Sequence, residues 1–333
     1  MQSNKIYPIA LLCLLFFSCH KKYEYKHLTG NTQGSTYSIV YENSNNVDYT
    51  NDIDSIFNLI NITFSGYDST SIVSRVNQNN PNVELNAMFC DVFAKSQTVW
   101  EESDGAFDIT VGALVKAWGF GIKRGQLPDS ATIETMKQSI GNQYVSIENN
   151  KVIKKKPGVL LDFNAIAQGY TVDLVGLFLE SKGIKNYLVE IGGEVRVKGV
   201  NAKDKLWKIG IDKPEDGNDK PGAEIQAIIE LNNRTVSTSG NYRRFYVENG
   251  VKYSHEIDPK TGYPARNTLL SASILADDCT TADAYATVCM VLGLEKSKEF
   301  LQKHKNIDAY FIYNDSLGRY QIWKTEGVKV LEE

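Results

Sequence analysis

The chain has 333 residues, 42% of them hydrophobic and 23% charged, a balance that supports a sizeable buried core. Its formal net charge of −4, pI near 5.7 and lack of any long basic run exclude general nucleic-acid binding, because affinity for a phosphate backbone needs a concentrated positive face.

The chain opens on a leader. Lys5 precedes an apolar run, Ile6 to Phe17, that is too short to span a bilayer but suits the hydrophobic region of a signal peptide. It ends in LLFFSC, a small residue before Cys19, the pattern of a bacterial lipoprotein processing site. The competing reading is a signal cleaved elsewhere, with Cys19 incidental. The expectation is a lipoprotein signal peptide over 1–18, acylation of Cys19 and a polar tether over 19–30. A folded domain over 31–333 would then face the extracytoplasmic (periplasmic) space of a bacterial cell envelope, held to the membrane by lipid. Cys90, Cys279 and Cys289 remain in the mature chain. The last two lie ten residues apart in a helical pattern, about 15 Å along the axis, too far to bridge, so all three read as small buried hydrophobes.

A strand is predicted over 35–42 (STYSIVYE), then an amphipathic helix with Ile53, Ile56, Phe57, Ile60 and Phe64 on one face. A second helix opens at Asn86, a suitable N-cap, and carries Phe89, Val92, Phe93 and Trp100. GAFDITVGALVKAWGFG (105–121) combines a turn, a short helix and a glycine-rich exit. GVLLDF reads as a buried strand. NAIAQGYTVDLVGLFLESKG reads as a helix capped by Asn164 and stopped by Gly183, with Ile166, Tyr170, Leu174, Leu177 and Phe178 inward. Strands follow at 187–191, 195–200, 206–211, 225–231, 235–238, 243–248, 252–256 and 270–275. A helix over 280–292, a further helix and two strands near 308–323 close the chain. Runs of strands beside separate helices predict an α+β fold, with mixed or antiparallel sheets and packed helices in a single large two-lobed domain.

Five stretches bear on chemistry. TTADAYATVCMVLG sets Asp283 and Thr287 four apart on one helix face, hard oxygen donors suited to Mg²⁺, although such pairs also arise by chance. In LLDFNAIAQGY, Asp162 precedes a helix N-terminus, where it either serves a ligand site or helps Asn164 cap its own helix. STSGNYRRF reads as a polar hairpin turn, and Gly192-Gly193 as a turn between strands. YSHEIDPKTGYPA puts His255 at a strand end, before a turn punctuated by Pro259, Gly262 and Pro264. It is either a site loop or a plain reverse turn with an incidental histidine. The chain has no P-loop, dinucleotide-binding, C-x-x-C or H-E-x-x-H pattern, so nucleotide sites of those kinds and zinc or haem sites are unsupported.

In order along the chain, STYSI, FSGYDSTSIVSRVN, GAFDITVGALVKAWGFG, LDFNAIAQGY, VEIGGEV, TVSTSGNY, HEIDPKTGYP and TADAYAT resemble the motifs of the FAD:protein FMN transferase (ApbE-type flavin transferase) family. The resemblance runs from about Gly34 to Gly293. It implies an ApbE-like fold and Mg²⁺-dependent transfer of the FMN half of FAD to a threonine hydroxyl of an acceptor protein, an electron-transfer subunit, with AMP released. It further implies a metal held by Asp283, Thr287 and a main-chain oxygen near Ala165, with Ala286 beside it. Tyr67 matches the aromatic that packs on the flavin. Ala106, Phe107, Asp108, Asp162, Gln168 and Ile257 match positions lining the FAD pocket, and His255 matches the base. Three departures stand out. The family's Met-Gly-Thr is Gln33-Gly34-Ser35, leaving Gln33 at a flavin-contact position. Its Gly-Gly in DLGGIA is Asn164-Ala165, and Glu256 replaces a common apolar residue. The alternatives are an FAD pyrophosphatase giving FMN and AMP, and a non-catalytic flavin-binding lipoprotein.

Overall fold

A computed structural model describes residues 24–120, 127–215, 218, 222–242, 245–248 and 251–332; the expected signal peptide and Cys19 lie outside them. The first elements are β1 (Tyr25–Thr32) and β2 (Ser35–Glu42), paired antiparallel. The expected tether is therefore a strand from Tyr25 onward. Leu28 is its only large aliphatic residue, so the segment carries little hydrophobic alternation of its own; main-chain pairing with β2 makes it a strand. Next come α1 (Thr50–Phe64), α2 (Ile72–Asn77), α3 (Ala87–Glu102), α4 (Gly112–Ala117) and α5 (Ser130–Lys137). As expected, α1 buries Ile53, Phe57, Ile60 and Phe64, and the Asn86 side chain caps α3 by accepting from the Phe89 N–H at 2.9 Å. A small hairpin, β3 (Val145–Glu148) and β4 (Lys151–Lys154), precedes α6 (Ala167–Ser181).

Two expectations around α6 fail, and a third holds except at Leu177. GVLLDF is extended and buried through Val159, Leu161 and Phe163, but it is no strand beyond a single bridge from Leu160 to Val111. Both main-chain groups of Leu161 are satisfied by the Asn77 side-chain amide at 2.8 Å, while the Leu160 carbonyl accepts from the Gly112 N–H (3.1 Å) and the Asp162 N–H donates to the Ile109 carbonyl (2.7 Å), so the segment is paired without a full ladder. The helix then begins at Ala167, not after Asn164, and Ile166 at its N-cap provides no side-chain cap. Of the predicted inward residues, Ile166 is buried and Tyr170, Leu174 and Phe178 are half-buried against the cores, whereas Leu177 is exposed; the fully buried side also carries Val172, Val175 and Leu179 with Gly169, Asp173 and Gly176. Small residues line this face because two neighbours press against it, and a stripe drawn through the largest apolar residues misses that.

The remaining strands are β5 (Tyr187–Ile191), β6 (Glu194–Lys198), β7 (Trp207–Asp212), β8 (Ile225–Leu231), β9 (Thr235–Gly240), β10 (Phe245–Glu248), β11 (Val251–Ser254) and β12 (Leu269–Ala276). After α7 (Cys279–Leu292) and α8 (Leu294–Gln302) come β13 (Asp308–Asn314), β14 (Tyr320–Lys324) and β15 (Val330–Glu332). The main sheet has the order β1-β2-β5-β6-β9-β12-β13-β14 and is antiparallel throughout; β15-β8-β7 form a second antiparallel sheet.

Alternation along β13 shows how the layers are arranged. Ala309 and Phe311 join the core formed with α3 and α7, while Tyr310 and Ile312 join Trp207, Ile229 and Leu231 of the second sheet. Helices thus cover one face of the main sheet and the small sheet covers part of the other, an α+β architecture as predicted. Cys279 and Cys289 are buried free thiols on α7, and Cys90 is a partly buried one.

Candidate active site

The site forms where α7, the ends of β6 and β9, the loop before α4 and the turn after β11 converge on a cleft of about 230 Å³. Its floor is built on a close approach between α6 and α7. A Cβ on Gly169 would clash with the Cys279 carbonyl and lie 2.7 Å from Asp283 Cβ, so only glycine permits the approach. The Gly169 N–H therefore reaches Asp283 Oδ2, at 2.9 Å, instead of the Ala165 carbonyl four residues back. That carbonyl borders the cleft without its helical partner. One turn along α7, Thr287 Oγ1 lies 3.4 Å from Ser239 Oγ of β9. Asp173 of α6 fixes the start of α7, accepting from the N–H groups of Cys279 (2.9 Å) and Thr280 (2.8 Å).

Electrostatics mark the floor as cation-seeking. Burial pushes the Asp283 carboxyl up to about 7; the Gly169 hydrogen bond opposes the shift and the Asp173 charge adds to it. Glu194, also buried, is pushed well above the usual carboxylate range by burial and then by Asp283. Its Oε2 accepts no hydrogen bond among the described residues. Two carboxyl groups, a threonine hydroxyl and a carbonyl that has no helical partner among the described residues form an all-oxygen donor set that fits a hard divalent cation, whose charge would relieve the repulsion between the acids.

The walls come from the predicted motifs. Ala106 and Phe107 line the cleft with Asp108, whose carboxylate serves the scaffold: Oδ1 accepts from the Thr110 N–H (2.8 Å) and hydroxyl (2.6 Å), and Oδ2 from the Asn142 N–H (3.0 Å). Burial raises its pKa against those bonds. Asp162 borders the cleft, its Oδ1 accepting from the Asn164 N–H at 2.8 Å. Gln168 lies against Gly192, where a φ of 64° and lack of a Cβ leave room for its amide. Asn164, Gln168 and Gly192 also line an outer groove of about 1300 Å³, which reaches Gln33 and Tyr67. Tyr67 is 62% exposed on its rim, while the Gln33 amide donates to Thr171 Oγ1 at 2.8 Å.

His255 enters on a rigid turn. The Gly262 N–H donates to the Asp258 carbonyl (2.8 Å), Ala265 to Glu256 (2.7 Å), and Trp118 Nε1 to the Gly262 carbonyl (2.8 Å). Ile257, bridged to Pro264, buries its side chain against Leu114, Trp118 and Ile133 while bordering the cleft. The His255 ring is partly exposed, edge-on to Phe120 at 6.4 Å, with Nδ1 3.4 Å from Glu256 Oε1.

Nearly every predicted site residue therefore borders one cleft or its outer groove. Ala286 does not; it is fully buried in the main core. Ser239 lies within β9 against α7, not in the hairpin turn read from STSGNYRRF. Glu194 was missed altogether. It follows the Gly192-Gly193 turn directly, but its inward direction depends on the pairing of β6 with β9.

The ApbE family matches residues 33–311. The FAD:protein FMN transferase of Haemophilus influenzae is 35% identical over 321 residues, 92% of this chain and 92% of its own length. That of Vibrio cholerae is 36% identical over 302 residues, 86% and 88% of the two chains. Among solved structures, the flavin transferase ApbE from Vibrio cholerae superposes with a TM-score of 0.81 at 33% identity, covering 91% of this chain and 98% of its own. The ApbE protein from Thermotoga maritima gives 0.79 at 30%, covering 91% and 97%.

Proposed function

The chain belongs to the ApbE family, and on that premise we propose that it transfers the FMN portion of FAD to a threonine hydroxyl of an acceptor protein, with Mg²⁺ in the cleft and AMP leaving. One observation carries the reading. His255, on the turn after β11, and the Asp283–Thr287 pair, on α7, border the same cleft as Ala165.

A threonine hydroxyl is a weak nucleophile, so a positioned base is needed, and imidazole is the side chain best suited to proton transfer near neutral pH. His255 takes the hydroxyl proton as the new O–P bond forms and the bond to AMP breaks. AMP departs as a phosphate anion and needs no strong general acid. Asp283, Thr287 and the Ala165 carbonyl would hold Mg²⁺, which when bound neutralises pyrophosphate oxygens and stabilises their developing charge. Tyr67 offers an exposed ring for the flavin at the groove rim, and Ala106, Phe107 and Ile257 exclude water from the inner cleft. The acceptor is in this reading an electron-transfer subunit at the membrane.

The test incubates the protein with FAD, Mg²⁺ and a threonine-containing acceptor domain. In-gel flavin fluorescence of the acceptor supports transfer; free FMN with an unlabelled acceptor identifies a pyrophosphatase, and unchanged FAD a binding protein. The proposal extends to an acylated Cys19 as anchor outside the cytoplasm, each buried methylene adding about 0.8 kcal/mol of membrane affinity. Cys19→Ser is expected to move the protein from the membrane fraction to the soluble one, and its retention in membranes would refute the anchor.

A further inference from the structure

We propose that Glu256 is a positioning residue for His255, holding the ring through Nδ1 so that Nε2 faces the threonine hydroxyl. This rests on the reading of His255 as base. The Glu256 side chain is 3% exposed and borders the cleft, yet neither carboxylate oxygen accepts a hydrogen bond among the described residues. A buried carboxyl group with no hydrogen bond is destabilising and calls for an explanation. The turn does not use it. Glu256 joins the turn through its main-chain carbonyl, which accepts from the Ala265 N–H, so the backbone is fixed while the carboxylate remains uncommitted.

The carboxylate faces the His255 ring, with Nδ1 3.4 Å from Oε1, while Phe120 meets the same ring edge-on. A carboxylate at Nδ1 selects the tautomer with its proton there and leaves the Nε2 lone pair for catalysis. When Nε2 takes the threonine proton, the imidazolium is paired at once with a carboxylate. The electron pair of the O–H bond goes into the new O–P bond, and that of the broken P–O bond leaves with AMP.

The experiment compares the full chain with E256Q, H255N and the double variant for FMN transfer at saturating FAD and Mg²⁺, with FAD affinity read from flavin fluorescence. E256Q is expected to lower kcat by roughly 10- to 100-fold, the range for partners that orient a functional histidine, without changing FAD affinity. In the H255N background it is expected to cause no further loss, because it acts through the ring. Parental kcat in E256Q, or an equal loss in both backgrounds, would overturn the positioning role. Parental turnover in H255N would instead remove His255 as the base. Histidine ¹⁵N NMR of the unmodified protein needs no variant: protonated Nδ1 at His255 supports the proposal, and a ring protonated at Nε2 alone refutes it.

Discussion

Asp283 shows how one residue's environment becomes a property of the whole. Its folded pKa, about 7, lies above the ordinary carboxylate value, so the folded chain holds a proton that the unfolded chain releases. Its contribution to stability is complete below the ordinary value, near 3.8, and is lost as pH rises through about 7. In chelator, the melting temperature is therefore expected to fall as pH is raised from about 4 to about 7. Asp283→Asn should flatten that slope, leaving the part due to Glu194. At neutral pH, Mg²⁺ is expected to raise the melting temperature of the parent and not of Asp283→Asn, with activity and its Mg²⁺ response lost together in the variant. Thermal unfolding at stepped pH, with and without Mg²⁺, checks both; an unaltered slope or Mg²⁺ response in Asp283→Asn would remove this carboxylate from the metal site.

Two elements must be held for those residues to act. The α6–α7 approach depends on Gly169, and Gly169→Ala must push the helices apart against the Cys279 carbonyl and Asp283 Cβ. The overpacking is expected to cost about 1–3 kcal/mol by urea unfolding and to raise the Mg²⁺ concentration needed for half-maximal transfer. Parental values for both would place the helices on a softer contact than the structure shows. The His255 turn depends on α4 and the residue after it. Trp118 stacks on Tyr253 at 5.6 Å between ring centroids and donates to the Gly262 carbonyl. Trp118→Phe keeps a ring but loses the hydrogen bond, at a cost of about 1 kcal/mol, and should lower kcat while FAD affinity holds. Stopped-assay kinetics with fluorescence binding separate the two quantities.

At the scale of the whole molecule, the main sheet and the helical layer are joined by an ion pair under the site. Arg196 of β6 donates to Asp173 of α6 at 2.6 Å, and Asp173 holds the first N–H groups of α7. Asp173 is buried, and removing its cation leaves a charge in a low-dielectric layer. Arg196→Met is therefore expected to destabilise the fold by about 3–5 kcal/mol, read as a drop in the urea midpoint. A midpoint unchanged from the parent would show that the layers are held by apolar packing alone.

Much of this protein was legible in its sequence because much of it is encoded locally. The periodicity of α1 and α3, the Asn86 cap, the Gly183 stop, the Asp283–Thr287 spacing and the punctuation after His255 depend only on neighbours along the chain. The ordered motifs also pointed to the family and to nearly all the cleft residues. What failed depended on distant partners. Strand β1 needs β2, GVLLDF divides its main-chain bonds between the Asn77 side chain and the backbone of residues 109–112, and the fully buried side of α6 follows the sheet and α7. The sequence by itself determined which chemical groups the chain carries and which local turns and helices present them. Only the tertiary structure decided which carboxyl groups were buried with an oxygen that accepts no hydrogen bond among the described residues, Glu194 beside Asp283 and Glu256 beside the His255 ring. The reason is physical: desolvation and charge coupling depend on separation in space, and chain position does not specify that separation until the sheet has paired and the helices have packed.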